Sequence, residues 1–73
     1  MTMASALAPS RASQAIRQSP LPALRKLAVE ETEQAVVLTG TVATYYLKQL
    51  AQETVMPVLQ GRQLDNRVSV NRG

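Results

Sequence analysis

Few side chains in this chain could do chemistry. There is no histidine and no cysteine, so an imidazole base, a thiolate nucleophile, a disulfide and the usual nitrogen or sulfur metal ligands are all excluded. Five carboxylates remain, Glu30, Glu31, Glu33, Glu53 and Asp65. They show none of the spacing expected of a paired general acid and base, and no serine has a histidine to activate it. The chain therefore reads as non-enzymatic, with no catalytic, cofactor-binding or metal site and no small-molecule substrate.

The remaining candidates are cations and two rings. Eight lysines and arginines face five acids, for a net charge of +3 and a pI near 10.0. Arg11 and Arg17 are unopposed in the first twenty residues, and Arg62, Arg67 and Arg72 outnumber Asp65 near the end. The bland reading of these residues is solvated surface charge. The sharper reading is a basic patch, formed where the two termini meet, that attracts anionic headgroups or phosphates. Tyr45 and Tyr46 are the only aromatic residues. Adjacent helical positions point about 100° apart, so one ring is expected half-buried and the other exposed. The exposed ring either covers the helix start or anchors at an interface that is wet on one side. Lys48 and Met56 share that status at lower rank.

These residues must be positioned by one small domain. A chain of 73 residues buries only about 60% of its unfolded surface, and with so few aromatics its core must be aliphatic. Residues 1–9 read as a disordered arm. Ser10 is placed to cap a short helix through Gln18 that turns Ala12, Ala15 and Ile16 toward a core. Ser19-Pro20-Leu21-Pro22 stops it. Leu24 to Glu31 alternates weakly and reads as a strand, and Thr32, Glu33 and Gln34 turn the chain back into an antiparallel partner.

That partner, Ala35 to Val42, is rich in β-branched residues. Val36, Leu38, Gly40 and Val42 share one face, and Ala35, Val37, Thr39 and Thr41 share the other. A glycine within a strand marks a close approach, expected here from the helix that follows. Thr44 is a suitable N-cap for that helix, whose stripe is Leu47, Leu50, Ala51, Thr54 and Val58. Pro57 ends or bends it near Met56. Gly61 provides a loop residue tolerant of positive φ, and Leu64 to Val70 closes as a strand. The order is αββαβ: an α+β sandwich with two helices on one face of a three-stranded mixed sheet, the crossover being right-handed. The strand order is left open.

Three passages carry a family resemblance: Ser19-Pro20-Leu21 after a short helix, Val36-Val37-Leu38-Thr39-Gly40-Thr41-Val42 before the second helix, and Asn66-Arg67-Val68-Ser69-Val70 at the close. Together they resemble the BON domain (bacterial OsmY and nodulation domain) over residues 16–70. The chain departs from that pattern at Glu33-Gln34, where BON hairpins usually carry Asp-Gly or Asn-Gly, and at Gln60-Gly61, in place of Gly-Val. The resemblance implies a single BON-like domain over 10–71 that binds phospholipid membranes or a protein partner at the cell envelope or in a stress response. Gly40 and Gly61 read as structural necessities of the backbone, since neither sits in a glycine-rich phosphate loop, and Asn66, which leads the closing strand motif, is taken as structural too.

The expected binding surface is Arg11, Arg17, Tyr45, Tyr46, Arg62, Arg67 and Arg72, facing anionic phospholipid or a protein. A weak homo-oligomer through a sheet edge is a further expectation, with Arg62 and Arg67 as guards of that edge. The alternative is a small basic nucleic-acid-binding domain. It ranks lower because a KH-type module needs a G-x-x-G loop that this chain lacks. No basic start with a sustained apolar run marks a signal peptide. The chain as given is therefore expected in the cytoplasm, or in the periplasm or envelope if it is cut from a longer precursor.

Overall fold

The computed structural model describes residues 11–71. Helix α1 (Arg11–Arg17) buries Ala12 and Ile16, one turn apart, with Ala15 half-buried beside them. The expected cap, Ser10, lies outside the described residues, as do the arm at 1–9 and Arg72. Helix α1 ends where Ser19 N–H reaches the Ile16 carbonyl. The Ser19 hydroxyl then accepts from Leu21 N–H at 3.1 Å, which turns the chain within a buried corner.

The next segment corrects the sequence reading. Leu24 does not begin a strand. Pro22–Arg25 forms a one-turn helix, α2, entered from an extended Leu21 with proline at its start, where the missing N–H costs nothing and the fixed φ suits the turn. Leu24 N–H and Arg25 N–H both reach the Leu21 carbonyl, and Leu27 N–H reaches that of Leu24. Leu24 and Leu27, three apart, are both buried. The weak alternation read there is a helical turn, because a spacing of three suits one helix face better than a strand face.

Strand β1 (Ala28–Glu31) then pairs antiparallel with β2 (Ala35–Thr39) in the register Ala28 with Thr39 and Glu31 with Val36. The expected hairpin forms without Asp-Gly or Asn-Gly. Instead, the Thr32 hydroxyl accepts from Gln34 N–H at 3.2 Å and Ala35 N–H at 3.0 Å, closing the turn with a side chain.

The expected single strand 35–42 is broken at Gly40, which continues into β3 (Thr41–Val42). Its counterpart is likewise split into β4 (Gln63–Asn66) and β5 (Ser69–Val70). The parallel register nonetheless carries through, since Leu38 pairs with Asn66 and Thr41 with Ser69 at the same offset. Arg67, Ser69 and Asn71 N–H groups bond the Leu38, Gly40 and Val42 carbonyls at 2.8–2.9 Å. Gly40 sits at φ +131°, and a Cβ there would lie 2.7 Å from Leu27 Cδ2. The close neighbour is therefore the buried leucine leading into β1, not the following helix. The three-stranded sheet has the order β1-β2-β4, with β2 central.

Helix α3 (Tyr45–Val55) is capped as expected, with Thr44 Oγ1 accepting from Leu47 N–H at 3.1 Å. It buries Ala51 and Val55, with Leu47, Leu50 and Thr54 half-buried, and passes at Met56–Val58 into a 3-10 turn containing Pro57. Gln60 (φ 55°) and Gly61 (φ 85°) reverse the chain into β4. The fold is an α+β sandwich. Ala12 and Ile16 of α1, Ala51 and Val55 of α3, and Val36, Leu38, Val42 and Val68 of the sheet form one core with Leu24 and Leu27. Val37 is half-buried, and Ala28, Glu30, Thr39, Arg67 and Ser69 on the sheet's other face are exposed.

Candidate functional site

Strand direction sorts the charged residues between two ends of the molecule. The first end is the hairpin end, where β1 leaves the sheet and β2 and β4 enter it. Glu31 lies there at the end of β1. Its Oε1 pairs with Arg62 Nη1 at 2.5 Å, and its Oε2 accepts from Ala12 N–H at 3.1 Å at the start of α1. Arg62 also donates Nε to the Leu59 carbonyl at 2.7 Å and Nη2 to that of Val58 at 2.8 Å. The two side chains are only 16% and 12% exposed. Arg62 is thus a clamp joining α1, the hairpin and the 3-10 turn. It is neither a free surface cation nor a guard of the sheet edge, because the partly buried Glu31 carboxylate holds its guanidinium.

The other end gathers the residues that precede β1, follow β2 and β3, and close β4. Arg67 N–H bonds the Leu38 carbonyl, and Ala28 pairs with Thr39, so both strand ends lie together there. Asn66 joins them to α3. Its amide donates to the Lys48 carbonyl at 3.1 Å, and its carbonyl accepts from Val68 N–H at 3.2 Å, which ties the first turn of α3 to the sheet. Arg25 Nη1 reaches the Ser19 carbonyl at 2.9 Å, bringing α2 against the end of α1 that carries Arg17. Lys26 lies two residues before β1.

Arg17, Arg25, Lys26, Lys48 and Arg67 thus share one end with two carboxylates, Asp65, held by Arg67 Nε at 2.7 Å, and Glu30, which stands level with Asp65 across Val37. That is a net +3. The remaining described residues hold Arg11 and Arg62 against Glu31, Glu33 and Glu53, a net −1.

Tyr45 and Tyr46 stand at the same cationic end, on the first turn of α3. Both are exposed, at 66% and 68%, which corrects the expectation of one half-buried ring. The core stripe of α3 runs through Leu47, Ala51 and Val55, so positions 45 and 46 both lie off it. The expected surface therefore divides. Arg17, Arg67, Tyr45 and Tyr46 come together, whereas Arg11 and Arg62 lie at the far end. The described termini do not meet either, because Arg11 adjoins the Glu31 end and Asn71 bonds Val42 at the other. Sequence reasoning left out Arg25 and Lys26 and ranked Lys48 low. The topology itself was the signal, since residues entering β1 and residues leaving β2 must share an end.

Glu33, Gln34, Gln60 and Gln63 line an open polar cleft of about 590 Å³ between the hairpin and the Gln60-Gly61 turn. A shallower groove of about 330 Å³ runs along α1 between Arg11 and Gln18, against Val58. Among the described residues no cluster of acids could hold a metal ion, and no helix is long and apolar enough to cross a membrane. No family model, curated protein or solved structure matches the chain.

Proposed function

We propose that this chain is a non-enzymatic, BON-like binding module that docks its cationic end on an anionic phospholipid surface. The observation that supports this reading is the convergence of five cations and two exposed tyrosines at one end of the fold. Near an anionic leaflet each basic residue is worth about 1 kcal/mol, so a net +3 gives roughly 3 kcal/mol. That alone is a weak, salt-sensitive association, with an equilibrium constant on the order of 10² per molar. Two tyrosines suited to the headgroup boundary would strengthen it. The acidic remainder orients the molecule with its hairpin end away from the membrane.

The test is flotation with neutral vesicles and with vesicles containing about a third anionic lipid, in low and high salt. Binding only to the anionic vesicles, weakened by salt and by Arg17→Glu with Lys26→Glu, supports the reading. Equal failure on both vesicle types removes it and leaves a protein partner. Binding to RNA or DNA that falls steeply with salt, in the absence of vesicle binding, would favour the nucleic-acid alternative.

A further inference from the structure

We infer that the outer face of α3 is a self-association surface, on which a second copy of this chain packs antiparallel about a two-fold axis. All three exposed large hydrophobic residues among the described residues, Tyr45, Tyr46 and Met56, lie on or next to this one element. Met56 keeps helical backbone angles, so the helical spacing extends to it. At 100° per residue, Tyr45, Gln49, Gln52 and Met56 fall within a strip about 60° wide. Tyr45, Gln49 and Met56 are exposed and Gln52 is half-buried. Their spacing of four, three and four residues is that of a helix-packing seam, yet no described element covers it.

The distribution of groups along the seam selects the occupant. The strip is apolar at both ends and carries amides in the middle, so an antiparallel copy sets Tyr45 against Met56 twice and Gln49 against Gln52 twice. Sulfur on an aromatic ring is a favourable contact, and paired amides satisfy one another. Charge makes the same choice. Helix α3 runs from the cationic end, a net +3, toward the end holding Glu31, Glu33 and Glu53. Antiparallel packing lays the cationic end of each copy beside the acidic end of the other, and opposes the two helix dipoles. Parallel packing would put the two cationic ends side by side. The contact is self-complementary and closed, so assembly stops at a dimer.

The chain has no cysteine, so a thiol can be placed at will. Sedimentation equilibrium of the wild-type chain should show a monomer–dimer equilibrium, and Met56→Lys should weaken it by at least about tenfold. Mild oxidation of a mixture of Tyr45→Cys and Met56→Cys proteins should give the mixed disulfide. Neither protein alone should cross-link efficiently, because identical positions lie about 16 Å apart along antiparallel helices. A wild-type chain that stays monomeric to about 1 mM would overturn the inference. So would a dimer indifferent to Met56→Lys, as pairing through the β4 edge would give, or self-linking of Tyr45→Cys as fast as the mixture, as parallel packing would give.

Discussion

Removing Arg62 should cost this domain more than removing any other cation, and the reason is geometric. Its guanidinium holds Glu31 and bonds the Leu59 and Val58 carbonyls, all within a site where both charged side chains are at most 16% exposed. In Arg62→Ala the Glu31 carboxylate keeps only Ala12 N–H, the Val58 carbonyl loses its guanidinium donor, and the Leu59 carbonyl is left with the backbone N–H of residue 62 alone. Breaking a buried pair from one side costs about 3–5 kcal/mol. Allowing for the residual exposure, we expect about 3 kcal/mol. A chain of this size has roughly 4–10 kcal/mol in total, so the variant should lose a large fraction of its stability.

Glu31→Gln is a finer probe. Its carbonyl can still accept from Arg62, but its NH₂ then faces Ala12 N–H donor to donor, and about 2 kcal/mol should go. The double variant Glu31→Leu with Arg62→Met removes both charges and keeps the apolar stems, so it should be more stable than Arg62→Ala despite carrying more changes. Arg67→Gln provides the control, since the Arg67–Asp65 pair is 68% and 43% exposed and should cost less than about 1 kcal/mol. Urea unfolding followed by far-ultraviolet circular dichroism measures all four. If Arg62→Ala proved no costlier than Arg67→Gln, the clamp would be an ordinary surface ion pair and the reasoning would fail.

Two further substitutions test the frame that positions the cationic end. Gly40→Ala should lose about 2–4 kcal/mol, since its φ of +131° disfavours any side chain and the added Cβ would meet buried Leu27; a denaturation midpoint close to wild type would show that Leu27 yields easily. Asn66→Ala should lose about 1–2 kcal/mol through its two backbone bonds. It should also raise hydrogen-exchange rates in the first turn of α3, and unchanged exchange there would mean that Thr44 alone holds that turn.

Much of the fold was legible because its periodicities are strong. Val36, Leu38 and Val42 alternate inward, Thr44 caps α3, and Pro57 ends it, each by a local rule that the tertiary structure does not override. Two features were not legible. The alternation of Leu27 and Val29 reads as a strand that can be extended back to Leu24, but Leu24 and Leu27, three apart, are buried together only because a helical turn places them on one face. The break at Gly40 depends on Leu27 lying against it, a contact thirteen residues away in sequence. The candidate site was legible in its residue types but not in its grouping. Arg62 and Arg67 look alike in a list of cations, yet one is engaged by a partly buried carboxylate and the other is exposed. Only the register of β1 on β2, and of β4 on β2, says which cations share an end.

The sorting of charge has a consequence for how the two proposed surfaces relate. Tyr45 belongs to both, since it tips the cationic end and begins the α3 seam. An antiparallel dimer would cover that ring and lay an acidic end beside each group of five cations, lowering the local potential that draws the module to an anionic surface. The two states therefore exclude one another at Tyr45 rather than adding. Binding to a membrane would draw monomers from the dimer, and raising the protein concentration in solution would oppose docking by mass action. The balance between the two proposed interactions would therefore depend on protein concentration and ionic strength.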